Sequence, residues 1–250
     1  AAQGLLAGIN ARLQVQEEPG KWTRVTTPLA TTSTARTSTA GTSTTGWGGW
    51  TSSSMTGVIN AAHQRGTRVV LTVSVFAWTS SQASVQKAIL GSATARQNLA
   101  RQAAAAVRDR GADGVNLDFE PLASGYADEF VAFLKTMRSE LNRIRSGYQL
   151  TYDTTGFIGN YPLEASVAAG AADAIFVMGY DYRTSGSSSA GSIDPLSGPK
   201  YDLTDTVRAY TARVKPSRVI LGLPWYGRAW STTSDDVRAP SQSGARYGYS

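Results

Sequence analysis

From residue 55 onward the chain alternates short apolar, β-branched runs with segments of helical spacing, and this alternation sets the expected elements. MTGVINAAHQRG (55–66) predicts a helix closed by Gly66, and TRVVLTVSVF (67–76) predicts a buried strand. TARQNLARQAAAAVRDRG (94–111) predicts an Ala- and Arg-rich helix with Gly111 at its C′ position, followed by a strand over DGVNLDFE (113–120). The pattern continues with a helix over 126–144, a strand over 148–157, a short helix near 163–170 and a strand over 173–180. A helix over 203–214 then leads into a strand over 217–227. Five strands of near-continuous apolar character, each next to a helix, imply βα units on a parallel sheet and so the fold class α/β.

Two stretches fall outside this pattern. Residues 29–54 (LATTSTARTSTAGTSTTGWGGWTSSS) are Ser/Thr/Gly-rich and are expected to be a loop or linker, and the segment before them offers one weak strand. After Tyr226 the chain again reads as loop. Residues 1–54 therefore match the scheme poorly and 55–230 carry it, within 250 residues that suit a single domain. Five units are fewer than a closed eight-stranded barrel needs. Either two strands hide in the N-terminal part or the barrel is incomplete at its N- and C-terminal ends.

Composition narrows the available chemistry. With 41% hydrophobic and 17% charged residues the chain is expected to be globular. It has no cysteine, which excludes disulfides, thiol catalysis and Cys-ligated zinc. The single histidine, His63, lies in an expected helix remote from other candidates and is assigned a structural role; a Ser-His-Asp triad and a multi-histidine metal site are disfavoured. Acid–base chemistry must then come from carboxylates or tyrosines. No apolar run reaches about 18 residues and AAQGLLAGIN lacks the plan of a signal peptide, so no membrane span is expected. The net charge of +6 is scattered along helical faces without an aromatic-interleaved cluster, which argues against a nucleic-acid partner.

The candidate chemistry sits in the 113–120 strand. Side chains alternate along a strand, so Asn116, Asp118 and Glu120 share one face while Val115, Leu117 and Phe119 share the other. Two carboxylates about 6–7 Å apart on a buried face cost desolvation with no evident cation, which favours a functional reading over a solvated strand end. Like charge and burial are expected to raise one of the two carboxyls, so that it is protonated at neutral pH and serves as a general acid. Glu120 ends its strand immediately before PLASG, and active sites of parallel α/β folds collect at the carboxyl ends of strands.

DGVNLDFE resembles the strand-four signature of family-18 glycoside hydrolases, Asp-Gly-x-Asp-x-Asp-x-Glu, and matches it at Asp113, Gly114, Asp118 and Glu120. MGYDY (178–182) is similar to the family's Met-x-Tyr-Asp, and LGLPWYGRAW (221–230) to its Gly-x-Pro-x-Tyr-Gly-Arg. TVSVFAW (72–78) stands where the family has Ser-x-Gly-Gly. The resemblance implies a TIM (β/α)8-type barrel, incomplete at its ends, in a secreted or cell-wall-associated enzyme. The implied reaction is retaining, substrate-assisted hydrolysis of β-1,4-linked N-acetylglucosamine polymers, either chitin and its oligosaccharides or peptidoglycan glycan. It needs neither cofactor nor metal. Glu120 would protonate the glycosidic oxygen while the sugar's own 2-acetamido oxygen attacks the anomeric carbon. Asp118 would orient that acetamido group, Tyr180 would hydrogen-bond it, and Asp181, Tyr226, Arg228 and Asn116 would contact the sugar.

The resemblance also has departures. Asn116 replaces the first inner aspartate of the signature, a form similar to the spore-cortex and cell-wall N-acetylglucosaminidase branch, which adds peptidoglycan to the candidate substrates. Trp78, Trp225 and Trp230 either stack on sugar faces or line the barrel mouth, and Asp153 and Arg183 are secondary candidates. Asp113 has the opposite parity from Asp118 and is assigned to structure. A catalytically inactive carbohydrate-binding relative and a basic polyanion-binding protein are the competing readings. The sequence carries no signal for oligomeric state.

Overall fold

The computed structural model describes residues 5–8, 34–37, 49–198, 200–224 and 226–248. The chain falls into two compact units, Ala1–Asp153 with Asn160–Ala174, and Thr154–Gly159 with Ile175–Ser250.

In the first unit, β1 (Leu5–Gly8) pairs antiparallel with β2 (Thr34–Thr37). Helix α1 (Ser53–His63) opens where the Ser52 hydroxyl accepts the Met55 N–H at 3.1 Å, and it buries Met55, Ile59 and Ala62 along one stripe. Then come β3 (Val70–Phe76), α2 (Ser80–Leu90), α3 (Ala93–Arg110), β4 (Gly114–Glu120), α4 (Ala127–Ile144) and β5 (Gln149–Thr155), followed by the short α5 (Leu163–Val167). Strand β3 pairs in parallel with β4, and β4 with β5. Helix α3 ends as the sequence predicts, with Gly111 at φ 63°, a left-handed turn that a side chain would oppose.

Strand β4 carries two different faces. Val115, Leu117 and Phe119 are fully buried toward the helices, where the Phe119 ring lies 5.7 Å from Phe130 and 5.4 Å from Phe133 of α4. Burial of each such side chain is worth roughly 1.5–3 kcal/mol. Because a one-residue slip would send these three to the opposite face, their packing locks the register that places Asn116, Asp118 and Glu120.

In the second unit, β6 (Ala174–Met178) and β7 (Val219–Gly222) pair in parallel, Ile175 with Val219 through Met178 with Gly222. Helix α6 (Leu203–Thr211) starts at a capping box formed by Asp202 and Asp205. Strands β8 (Tyr226–Thr232) and β9 (Ser241–Gly248) form an antiparallel pair.

Several expectations need correction. The stretch 29–54 is not loop throughout: β2 lies in it, and Trp50, only 2% exposed, donates its indole N–H to the Ala106 carbonyl at 3.0 Å. One large aromatic is enough to anchor a small-residue segment to a helix. Residues 53–54 already belong to α1, and 29–33 and 38–48 lie outside the described residues. Helix α2 was not expected; its strongest signal is a capping box in which Thr79 and Gln82 each accept the other's backbone N–H. The strand expected over 217–227 is two strands. A 3-10 turn at Pro216–Arg218 precedes β7, which stops at Gly222; Pro224, with no N–H to give to a ladder, lies between it and β8. Among the described residues after Tyr226 the chain is loop only over 233–240; β8 and β9 stand on either side, with exposure alternating residue by residue along β8 as a half-covered strand requires.

Candidate active site

The parallel register of β3, β4 and β5 builds a polar face from residues far apart in sequence. Asn116 pairs with Thr72 on one side and Thr151 on the other, and Asp118 pairs with Ser74. Thr151 donates to Asn116 Oδ1 at 2.7 Å, and Asn116 Nδ2 donates to Thr72 Oγ1 at 3.4 Å. One step toward the carboxyl end, Ser74 donates its hydroxyl to Asp118 Oδ2 at 3.0 Å. Asp153 follows Thr151 by two residues and so stays on the same face; like Asp118 it is 1% exposed. Glu120, opposite Phe76, ends the series and is only partly buried. Burial of polar groups is tolerable where they bond to one another, as Thr72, Asn116 and Thr151 do in one row and Ser74 and Asp118 in the next. The result is a graded arrangement: a neutral Thr–Asn–Thr row, a buried carboxylate row, and one carboxyl at the open end.

Asn116, expected to touch substrate, lies at the bottom of this arrangement, 3% exposed and committed to Thr72 and Thr151. Thr72, Ser74 and Thr151 were not singled out from the sequence. In a buried strand a threonine reads as a β-branched filler, and only the register reveals which carboxylate or amide stands beside it.

Asp113 immediately precedes β4, at the end away from Glu120. Its Oδ2 accepts from the Val69 N–H at 2.7 Å and lies 2.8 Å from His63 Nε2, so the single histidine and the first aspartate of the signature are partners. The contact ties the start of β3 to α1 and supports the structural assignment of both. Asp113→Ala leaves the buried Val69 N–H without its acceptor, a loss of about 1–3 kcal/mol. Thermal melting should register it as a fall in Tm of roughly 2–12 °C. Turnover per folded molecule should stay within about twofold, because nothing on the polar face is touched; a large loss of turnover would move Asp113 into the chemistry.

In the second unit the two remaining motifs meet. Asp181, which follows Tyr180 just past β6, has φ 61°, a conformation uncommon outside glycine. Its Oδ1 accepts from the Tyr226 hydroxyl at 2.7 Å and from Arg228 Nη2 at 2.7 Å and Nε at 3.3 Å. Tyr180 and Tyr226 stand edge to face with ring centroids 6.0 Å apart, and the Arg228 guanidinium lies 5.6 Å over the Tyr226 ring. Burial, reinforced by the hydrogen bond to Asp181, pushes the Tyr226 hydroxyl well above its usual range, so it remains a donor throughout the working pH range. The structure thus joins Asp181, Tyr226 and Arg228 into one held cluster, with Asp181 the more exposed end of its ion pair with Arg228.

The aromatic candidates divide. Trp78, just after β3, is 62% exposed, while Trp230 is half-buried with its indole N–H on the Thr184 carbonyl at 3.2 Å. Trp225 lies outside the described residues. Arg183 packs its side chain against Gly191.

Residues 18–248 match the family described as Glycosyl hydrolases family 18. Among curated proteins, the chain is 31% identical over 147 residues to YdhD of Bacillus subtilis (strain 168), described as a sporulation-specific glycosylase, covering 57% of this chain and 33% of that protein. It is 28% identical over 186 residues to Chitinase 1 of Aphanocladium album, covering 68% and 43%. The chain thus spans a third to under half of the length of these relatives. Among solved structures, YdhD superposes with a TM-score of 0.61 at 23% identity, over 75% of this chain and 62% of that one. A family-18 chitinase from Cycas revoluta in complex with (GlcNAc)3 gives 0.61 at 21% identity, over 70% and 56%. These likenesses show the fold, which is α/β of the TIM-barrel type. The match over most of the length, on the signatures that carry the polar face of β4 and the Asp181 cluster, has one conclusion: the chain belongs to family 18 of the glycosyl hydrolases.

Proposed function

We propose that this chain hydrolyses β-1,4-linked N-acetylglucosamine polymers with retention of configuration, using the substrate's own acetamido group as nucleophile. The observation that carries the reading is the graded face of β4, with the Glu120 carboxyl at the open end and the Asp118 carboxylate buried one step below it, held by Ser74. A carboxyl at a strand's carboxyl end can reach a glycosidic oxygen. A second carboxylate beside it on the same face cannot attack the anomeric carbon from the opposite side of the ring, as an ordinary retaining nucleophile must. An internal nucleophile removes that requirement and leaves Asp118 to orient the acetamido N–H. In balanced form, Glu120 gives its proton to the leaving oxygen as the C1–O bond breaks and the acetamido oxygen closes on C1. Water then opens the oxazolinium ion, and its proton returns to Glu120. Tyr180 is assigned a hydrogen bond to the acetamido group, and Asp181, Tyr226, Arg228 and the exposed Trp78 are assigned contacts along the sugar chain.

Chitin and its oligosaccharides are the first-choice substrates. Peptidoglycan glycan is the second, favoured by Asn116 in the signature and by the likeness to YdhD. Either polymer would be met outside the cell. A carbohydrate-binding protein without turnover is the remaining alternative, and the presence of both Asp118 and Glu120 counts against it.

The test compares N-acetylchitotetraose with its fully de-N-acetylated counterpart and follows the products by proton NMR. The acetylated tetramer should be cleaved to the β-anomer first, and the deacetylated one at less than about a hundredth of that rate, because the nucleophile held in place by the substrate is gone. Equal rates, or an α-anomer first, would sink the substrate-assisted mechanism. Saturable binding without cleavage of either glycan would establish the binding-only reading.

A further inference from the structure

We propose that Gln86 is a positioning residue that fixes the turn bearing Glu120; the proposal rests on the assignment of Glu120 as the proton donor. Gln86 lies on α2, is 0% exposed, and shares its helix face with the buried Ile89 and Leu90. A primary amide in such a place must bond all its groups or destabilise the fold. Its Nε2 donates to the Val75 carbonyl at 3.0 Å and to the Pro121 carbonyl at 3.1 Å, and its Oε1 accepts from the Ala123 N–H at 2.8 Å.

The three partners surround the acid. Val75 precedes Phe76, the residue of β3 paired with Glu120, while Pro121 and Ala123 follow Glu120 directly. The Glu120 carbonyl is itself held by the Ala77 N–H at 2.7 Å. The backbone entering Glu120 is therefore set by the β3 ladder, and the backbone leaving it is set by one side chain that grips the same β3 strand. Leu122, between the two gripped residues, is 1% exposed, so the turn is packed as well as bonded. A leucine or methionine would fill the same space. Only an amide, with two donors and an acceptor, can hold two carbonyls and an N–H together. An acid must hold its carboxyl within a few tenths of an ångström of the leaving oxygen, and loss of this clamp releases the segment that aims it.

The experiment measures kcat and KM on N-acetylchitotetraose for the unaltered chain, Gln86→Met, Ile89→Ala and Glu120→Gln, with rates normalised to folded protein. Gln86→Met conserves volume and removes all three bonds; Ile89→Ala loosens the same helix and leaves the clamp intact. The expected result is a fall in kcat of about 10- to 100-fold for Gln86→Met with KM within about twofold, while Ile89→Ala keeps its kcat despite a lower Tm. If Gln86→Met does not fold, Gln86→Asn, whose amide is one methylene too short to span all three groups, is held to the same expectation. A kcat for the Gln86 variant equal to that of Ile89→Ala overturns the positioning role, while a defective Glu120→Gln in the same series leaves the acid assignment standing. Full activity of Glu120→Gln, or no turnover by the unaltered chain, overturns the acid assignment and this proposal with it.

Discussion

Glu120→Gln is expected to lower kcat on N-acetylchitotetraose by at least about two orders of magnitude, with KM changed by no more than a few-fold. The amide has nearly the same shape as the carboxyl and cannot deliver a proton. The backbone bond that holds the residue, from the Ala77 N–H to the Glu120 carbonyl, is unaffected. Because the side chain is only partly buried, the fold should be nearly indifferent to the change, with stability within about 0.5 kcal/mol. A second measurement isolates the chemistry. An aryl glycoside with an acidic phenol leaving group needs little protonation, so the same variant should lose far less activity on it than on the natural linkage. Equal losses on both substrates would mean that Glu120 acts in binding or orientation rather than as the acid. No loss on either would put the acid elsewhere, with Asp118 the next candidate.

Gly114→Ala should be the most damaging single methyl group that can be added to this chain's signature. A Cβ at Gly114 would lie 2.0 Å from the carbonyl oxygen of Gln149 and 2.7 Å from its backbone carbon and nitrogen. Those are backbone atoms of β5, paired with Gly114 in the parallel ladder, so no side-chain rotation relieves the overlap. Moving β5 away would break the pairing that places Thr151 beside Asn116 and the bond from the Gln149 N–H to the Asp113 carbonyl. The expected cost is about 3 kcal/mol or more, at the severe end for an overpacked site. It should appear as a fall in Tm of roughly 6–12 °C, or as failure to accumulate soluble protein. Gly57→Ala is the matched control: Gly57 lies inside α1 with nothing within 4 Å of the added Cβ, so alanine there should stabilise by roughly 0.5–1 kcal/mol. A melting temperature unchanged by Gly114→Ala would show that β4 and β5 do not approach so closely.

The glycine of the signature thus has a physical reason independent of catalysis. It lets two backbones come together at the root of the strand whose tip carries the acid. The sequence marked Gly114 as a motif position without saying why; the reason lies in Gln149, thirty-five residues away. The same holds for Asp113 and His63, each read separately as structural, whose bond spans fifty residues. Strands β8 and β9 show another kind of miss. The residues on either side of Pro224 read as one continuous strand, and the structure separates them into β7, ending at Gly222, and β8, beginning at Tyr226.

By itself the sequence determined what depends on near neighbours: the α/β alternation, the ends of α3 and α4 to within a residue or two, and the division of β4 into an apolar and a polar face. These follow from periods of 2 and 3.6 residues and from glycine and proline chemistry, which act over a few residues and can be read in one dimension. The motifs likewise identified the family. Only the tertiary structure decided which groups stand next to Asp118, that Asn116 is buried under it, that Asp181, Tyr226 and Arg228 hold one another, and that Gln86 grips the turn after Glu120. Each of those contacts depends on strand register and helix placement, which are set by the packing of the whole core rather than by any local stretch of chain.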